Sequence, residues 1–214
     1  MKKDIIFDFD GVLADTEELC YQANEYAFEP VDHCFTREEY AKLWVIDGLD
    51  LEDIVEQFNF SISPYLLRVR KNNCFAELLE RKKLGFIDGI RELIDELLRG
   101  NFRLSIASSN LRSNIELFLE MRNARGYFSL ILGREDIEYP KPHPDIFLKI
   151  LDKLSIPSQN AVVIEDAPKG IKASRAAGIK TIAIPSIWTK KADFSEADIV
   201  ISSPSEVVSA IQKL

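Results

Sequence analysis

Short, mostly apolar runs recur along the chain, and their length and residue types are typical of buried β-strands. The first run covers residues 4–9 and stops at Asp10-Gly11. Runs without strict alternation predict strands that are covered on both faces. The later runs lie at residues 102–107, 128–132, 161–164, 180–184 and 199–201.

Segments with helical periodicity separate the later runs. One stripe has the spacing of a buried helix face: Ile90, Leu93, Ile94, Leu97 and Leu98. We expect Gly100 to end this helix as its C′ glycine, and we expect Pro168 to open and Gly178 to close another helix. Strand and helix alternate from about residue 88 onward. The pattern predicts an α/β fold, with a Rossmann-like parallel sheet and helices on both faces.

A stretch of about ninety residues between the first two predicted strands contains no convincing strand. Its pattern predicts helices near residues 16–29, 36–45, 50–59 and 64–83. We therefore predict an α/β core domain at residues 1–15 and 84–214, with an inserted, all-helical cap domain at residues 16–83.

Composition and charge restrict the class of protein. Of 214 residues, 46% are hydrophobic, and 27 Lys+Arg stand against 35 Asp+Glu for a net charge of −8. Ordinary apolar content excludes collagen-like and disordered chains. A net acidic chain is poorly suited to nucleic acids and anionic membranes, because both attract positive charge. We therefore expect neither as a partner.

The remaining composition favours a cytoplasmic protein. No apolar run approaches the roughly 18–20 residues of a membrane span, and residues 5–7 are too short for the core of a signal peptide. The cysteines Cys20, Cys34 and Cys74 have no CxxC spacing, which favours free thiols in a reducing compartment. We expect a monomer, since no exposed apolar heptad stands out.

The strongest chemical signal is the pair Asp8 and Asp10 at the end of the first predicted strand, followed by Gly11. In open α/β sheets, ligands bind at the carboxyl ends of the strands. Two carboxylates so close together favour a divalent cation that prefers oxygen ligands. Taken alone, the pair is equally compatible with solvated acids at a strand end.

Three further segments strengthen the functional interpretation. Glu165-Asp166 follows a later strand, and Ser108-Ser109-Asn110 follows the second strand, where hydroxyl and N–H groups at a helix start suit phosphate. Lys141 lies between two prolines, which restrict the backbone around it. Each segment has an ordinary structural explanation, but their order along an alternating β/α chain is hard to explain without a shared site.

These motifs resemble those of haloacid-dehalogenase-superfamily phosphohydrolases. The similarity is to the branch with a helical cap that contains β-phosphoglucomutase and phosphoglycolate phosphatase, and it spans essentially the whole chain. The matching positions are Asp8-Phe9-Asp10-Gly11-Val12, Ser108, Lys141-Pro142, Glu165-Asp166, Gly170 and Ala176-Ala177-Gly178.

The resemblance implies a chemical role for each acid. Asp8 would be the nucleophile that forms an aspartyl-phosphate, and Asp10 would be the general acid and base. Mg²⁺ would be held by the carboxylates of Asp8 and Asp166 and the backbone carbonyl of Asp10, with Glu165 as an outer or direct ligand.

The resemblance also implies residues that bind the substrate. Lys141 and Ser108 would hold phosphoryl oxygens. Further phosphate or substrate contacts are expected at Ser109, Asn110, Thr16, Lys71 and the backbone N–H groups around Gly11. The implied activity is Mg²⁺-dependent hydrolysis of a small phosphorylated metabolite. Dehalogenation is disfavoured, since a halide leaves without needing the proton that Asp10 would supply.

Two alternatives stay open. The first is a sugar phosphomutase of the β-phosphoglucomutase type. The segments that contain Thr16 and Lys71 resemble the corresponding segments of that enzyme. That pattern has a histidine where Cys20 stands and an arginine where Leu51 stands, so hydrolysis is favoured. The second is a non-catalytic phospho-aspartate switch or binding homologue. Against the switch, we expect the leading aspartate to follow the first strand away from mid-sheet and to be covered by a helical insert. Against the inert homologue, the motif residues are intact.

Overall fold

The predicted apolar runs form a six-stranded, wholly parallel sheet in the computed structural model, which describes residues 4–214. Residues 1–3 of the predicted core domain lie outside the described residues. The strands follow the order β3-β2-β1-β4-β5-β6. Their bounds are β1 Asp4–Phe7, β2 Arg103–Ala107, β3 Phe128–Leu132, β4 Ala161–Glu165, β5 Lys180–Ala183 and β6 Ile199–Val200. The predicted Rossmann-like α/β fold is therefore confirmed.

Helices fill the segments between the strands and the long insertion. Within the described residues the α-helices are α1 Glu17–Phe28, α2 Arg37–Tyr40, α3 Leu51–Phe58, α4 Pro64–Lys82, α5 Ile90–Arg99, α6 Arg112–Glu120, α7 Asp145–Leu154, α8 Pro168–Ala176 and α9 Val207–Ile211. The helix predicted at residues 36–45 is α2 continued by a π-helical segment, Ala41–Ile46. None of these described helices has both the length and the apolar character needed to cross a bilayer.

Strand β1 lies in the interior of the sheet, between β2 and β4. The expectation that the leading aspartate follows a strand away from mid-sheet is therefore wrong. After β1 the chain builds β2 and β3 on one side and then returns to build β4 on the other. This reversal makes the carboxyl end of β1 the switch point of the sheet, where flanking loops diverge and leave a crevice.

The core of the sheet is covered on both faces. Every residue of β1 and β4 is buried, although successive side chains of a strand point to opposite faces. On one face, Ile6 and Val163 join a cluster with Phe147 and Ile150 of α7 and Ala173 of α8. The sheet edge that carries the motifs therefore rests on a continuous apolar core.

The end of α5 differs from the prediction in one residue. Four residues of its apolar stripe are buried as expected, and the fifth, Leu98, is partly exposed. At the helix end, Gly100 has φ −75° and Asn101 takes the left-handed conformation at φ +58°. Asparagine tolerates this conformation at C′, so the preceding glycine is not needed for it. Pro168 and Gly178 begin and close α8 as predicted, with Gly178 at φ +72°.

The chain divides into two compact units, one ending at Asp15 and resuming at Gly85–Leu214, and the other spanning Thr16–Leu84. In the second unit, α1 packs along α4. Aromatic rings pack around Phe35, from Phe28, His33, Trp44, Phe58 and Phe60. Cys20 and Leu51 are both buried.

Candidate active site

The carboxyl ends of β1 and β4 bring three acids together. Asp8 directly follows β1 and donates its N–H to the carbonyl of Ile164 at 2.9 Å. Glu165 is the last residue of β4, and Asp166 follows it. Carboxylate oxygens of Asp8, Glu165 and Asp166 lie within 4.8 Å of one another, and all three residues are buried.

Lys141 is buried at the centre of this cluster, with 3% of its surface exposed. Its Nζ donates to Asp8 Oδ1 at 2.9 Å and to Glu165 Oε1 at 2.6 Å. A third bond runs to the carbonyl of Ala107, at the end of β2, at 2.9 Å. The three N–H donors of the ammonium are thus matched to acceptors from three separate segments.

The electrostatics of the cluster follow from this burial. Burial by itself would lower the pKa of Lys141, but the carboxylates of Asp8 and Glu165 outweigh it and raise that pKa above its ordinary value. Burial, aided by the charge of Asp8, raises the pKa of Glu165 to about 7 against the opposing effect of Lys141. The cluster therefore has three buried carboxyl groups and one ammonium, which contacts two of them, so carboxyl groups outnumber the cation.

Asp10 has a different environment from Asp8. It receives hydrogen bonds from Ser108 Oγ at 3.3 Å and from Asn110 Nδ2, which lies 3.0 Å from Oδ1 and 3.3 Å from Oδ2. Ser109, by contrast, is exposed. The helix expected to start in this segment begins later, at Arg112, with Leu111 as its N-cap. Two of the three residues predicted to bind phosphate thus contact the second aspartate of the motif.

Two glycines make room for the acid cluster. Gly11 has φ +77°, and a Cβ there would lie 2.2 Å from Asp166 Oδ2. Its N–H, which we expected to face phosphate, donates instead to the carbonyl of Ala14 at 2.9 Å. A Cβ on Gly170 would lie 1.7 Å from Glu165 Oε1.

The role of Gly170 was missed by the chemical reasoning from sequence, which recorded it only as part of a family motif. It lies in the first turn of α8, where glycine disfavours helix formation by about 1 kcal/mol relative to alanine. A glycine at an unfavourable position five residues after a strand-end acid is the signal that could have pointed to this close approach.

Thr16 and Lys71 belong to the helical unit, not to the unit that holds the acid cluster. Thr16 is fully buried at the N-terminus of α1, and Lys71 is partly exposed on α4. Their predicted contacts with substrate remain predictions.

The donor set fits a hard divalent cation. Asp8, Glu165 and Asp166 offer clustered carboxylate oxygens, the ligand type that Mg²⁺ prefers. The two glycines keep the space beside Glu165 and Asp166 free of Cβ atoms. A bound cation would also offset the excess of buried acid.

Comparison with known proteins identifies the family. The family described as haloacid dehalogenase-like hydrolase matches residues 5–184. The chain belongs to this haloacid dehalogenase-like hydrolase family. Protein CbbY from Rhodobacter capsulatus is 31% identical over 206 residues, with 92% of this chain and 91% of the relative covered. The phosphorylated carbohydrates phosphatase from Thermotoga maritima is 24% identical, with 98% of each chain covered. The predicted family and the predicted enzyme class, a phosphatase of the haloacid dehalogenase type, are confirmed.

Solved structures of haloacid dehalogenase-like proteins share the fold. A crystal structure of CbbY from Rhodobacter sphaeroides in complex with xylulose-1,5-bisphosphate has a TM-score of 0.86 at 29% identity, with 96% of each chain covered. β-Phosphoglucomutase from Clostridium difficile has a TM-score of 0.84 at 25% identity, with 100% of this chain and 96% of that chain covered.

We predict that Lys141→Met destabilises the metal-free protein by about 3–5 kcal/mol, because it leaves Asp8 and Glu165 buried without their cation. The double variant K141M/E165Q should be less destabilised than Lys141→Met, since the second change removes one of the two unpaired buried charges. Urea unfolding in the presence of a chelator measures both. Lys153→Met, at an exposed position of α7, is the control. The single variant Glu165→Gln is measured as well. If the loss in the double variant equals the sum of the losses in Lys141→Met and Glu165→Gln, the proposed coupling between the two residues is contradicted.

We also predict that Gly170→Ala lowers the free energy of unfolding by about 1–3 kcal/mol, although alanine is the better helix former. The added Cβ would displace Glu165 and its contact with Lys141. Gly126→Ala is the matched control, because nothing lies within 4 Å of a Cβ at that glycine. Equal effects of the two changes in thermal unfolding would show that Glu165 tolerates the added Cβ.

Proposed function

We propose that this protein hydrolyses a phosphomonoester of a small, sugar-like metabolite in two steps, through an aspartyl-phosphate on Asp8. The observation that carries the proposal is the contrast between two carboxylates two residues apart. Asp8 contacts the buried ammonium of Lys141, whereas Asp10 contacts the neutral donors of Ser108 and Asn110. Neighbouring acids in different environments are suited to different roles, here nucleophile and acid–base group.

In the proposed first step, Asp8 Oδ2 attacks phosphorus, since Lys141 occupies Oδ1. A bond forms between Oδ2 and phosphorus, the ester bond to the leaving oxygen breaks, and Asp10 gives that oxygen a proton. In the second step, water attacks phosphorus and Asp10 accepts its proton. The bond between phosphorus and Asp8 breaks, phosphate leaves, and both aspartates return to their starting state.

The residues proposed to hold Mg²⁺ are Asp8 and Asp166, the backbone carbonyl of Asp10, and Glu165 as an inner or outer ligand. When bound, the cation supplies positive charge that offsets the repulsion between a carboxylate and a phosphate ester. Lys141 and Ser108 are proposed to turn part of their hydrogen bonding toward the phosphoryl oxygens. Both already lie beside the two aspartates, so a small rearrangement suffices.

The relatives support a phosphorylated sugar as the substrate class. The Thermotoga maritima protein is named as a phosphatase of phosphorylated carbohydrates, and the CbbY structure holds a sugar bisphosphate. Thr16 and Lys71 of the helical unit are the proposed contacts to the sugar part. The proposed acid role of Asp10 favours an ester, whose alkoxide needs a proton, over a halide.

A sugar phosphomutase is the second candidate, favoured by the shared fold and 25% identity with β-phosphoglucomutase. The mutase pattern needs a cation in the helical unit for a second phosphate. The position aligned with that cation is Leu51, whose side chain is buried. This observation ranks hydrolysis first.

The test is product analysis with a panel of small phosphomonoesters, in Mg²⁺ and in chelator. The panel includes β-glucose 1-phosphate with a bisphosphate primer. We expect Mg²⁺-dependent release of inorganic phosphate from one or a few sugar phosphates. Glucose 6-phosphate formed without free phosphate would identify the mutase instead. Stable phosphorylation of the protein without turnover would identify a switch.

We predict that Asp8→Asn lowers phosphate release on the order of 10³-fold or more while leaving the protein folded, because it removes the attacking oxygen. Asp152→Asn, an exposed acid on α7, is the matched control. Phosphate release and circular dichroism on the same samples separate loss of chemistry from loss of fold. An Asp8→Asn protein that keeps its activity would remove Asp8 as the nucleophile.

A further inference from the structure

Two asparagine side chains form a line of hydrogen bonds that ends on Asp10. Asn110 Nδ2 donates to the Asp10 carboxylate at 3.0 Å and 3.3 Å. Behind it, Asn114 Nδ2 donates to Asn110 Oδ1 at 2.9 Å. The N–H of Leu111 also donates to Asn110 Oδ1, at 2.9 Å. The oxygen of the Asn110 amide therefore has two donors, and its nitrogen faces the acid.

The orientation of the Asn110 amide determines whether it attracts or repels Asp10. The two ends of an asparagine amide have similar shapes but opposite hydrogen-bonding character. A half-turn about the last side-chain bond would place Oδ1 against the Asp10 carboxylate, which also accepts hydrogen bonds. Donors on Oδ1 oppose that turn, and Asn114 is the donor that comes from a side chain.

Asn114 is built into a rigid element. It lies in the first turn of α6 and is 4% exposed, on a helix whose Ile115, Phe118 and Leu119 are buried. A buried amide on a packed helix has little rotational freedom, so it can fix the group it touches.

The backbone around Asn110 is held by other contacts, so Asn114 acts on the side chain and not on the loop. Arg134 N–H donates to the carbonyl of Asn110 at 2.8 Å, and Arg112 N–H donates to Glu135 at 3.0 Å. Arg112 also pairs with Asp136 at 2.7 Å. These contacts do not use the side chain of residue 114, so we expect them to remain when that side chain is changed.

We propose that Asn114 is a positioning residue, which orients the amide of Asn110 so that its NH₂ group aims the Asp10 carboxyl group at the leaving oxygen. In this scheme Asn110 positions Asp10 and is not primarily a phosphate ligand. The inference rests on the proposed function, because it assigns Asp10 the role of proton donor.

If Asn114 positions Asp10, the effect of changing Asn114 on the cleavage rate should depend on the leaving group. An alkoxide leaving group needs the proton from Asp10, whereas p-nitrophenolate is a stable anion at neutral pH and leaves without one. A misaimed Asp10 should therefore slow the cleavage of a sugar phosphate far more than the cleavage of p-nitrophenyl phosphate. A general loss of structure would slow both esters alike.

The test compares Asn114→Asp, Asn114→Ala and the wild type in single-turnover cleavage of both esters, with excess enzyme and Mg²⁺. Asn114→Asp keeps the shape but puts an acceptor against Asn110 Oδ1, so it should slow the sugar phosphate by ~10–100-fold. The change for p-nitrophenyl phosphate should stay within ~3-fold, as expected for a step that needs no proton transfer. Asn114→Ala should act in the same direction but more weakly.

Ser174→Ala is the matched control, since Ser174 is a fully buried polar residue of the same unit that bonds to Ile171 and Thr181. It should leave the ratio of the two rates unchanged. If Asn114→Asp fails to fold, Asn114→Ala provides the comparison.

Three results would overturn the inference. The first is an equal loss for both esters in the Asn114 variants, and the second is no loss for either. In both cases the proposed function is retained if the activity of the wild type is lost in Asp8→Asn. The third is a wild type that cleaves neither ester or does not depend on Asp8, which removes the proposed function and the inference together.

Discussion

The site depends on one buried ammonium that is shared by two carboxylates. Lys141 joins the end of β1, through Asp8, to the end of β4, through Glu165, and also reaches the end of β2 at Ala107. Charges this far from water are tolerated only when they are paired and hydrogen-bonded. The ammonium therefore links three strand ends that the pairing of β1 with β2 and β4 makes neighbours. It also explains why Gly170 has no side chain, because Glu165 must lie against the start of α8 to reach Lys141.

The same constraint separates the two aspartates of the motif. Asp8 and Asp10 are two residues apart, yet Asp8 contacts the lysine whereas Asp10 contacts Ser108 and Asn110. The turn at Gly11 carries the chain past Asp166, while Asp10 meets the loop that follows β2. One strand end thus presents one carboxylate to charged groups and another to neutral donors. This division suits the roles proposed above, nucleophile for Asp8 and acid–base group for Asp10.

The sequence was sufficient to predict elements with strong patterns and to predict which segments meet at one edge. Six apolar runs became the six strands, and parallel alternation placed Asp8, Asp10, Ser108, Lys141, Glu165 and Asp166 at one sheet edge. Strand order was not predictable from local pattern, because nothing in the run at residues 4–7 shows on which side β4 will pair. The contacts of Asn110 and Asn114 were also hidden, since the direction of the Asn110 amide depends on a turn that brings Leu111 N–H and Asn114 to its oxygen and on Asp10, from a distant part of the sequence, at its nitrogen.

The position of the helical insertion explains how the acid cluster can stay the same in proteins that act on different substrates. The chain leaves the α/β unit after Asp15 and returns at Gly85, and the two ends are tied together by a bridge between Ala14 and Phe86 and by a bond from Ile87 N–H to the Leu13 carbonyl at 3.0 Å. Because the insertion begins and ends at one place, its length and composition can vary without changing the pairing of β1. All the residues proposed for bond making and proton transfer lie outside it. A phosphorylated carbohydrates phosphatase matches this chain along 98% of its length, and a β-phosphoglucomutase shares its fold. Different named activities on one framework are expected if the α/β unit supplies the chemistry and the helical unit selects the substrate.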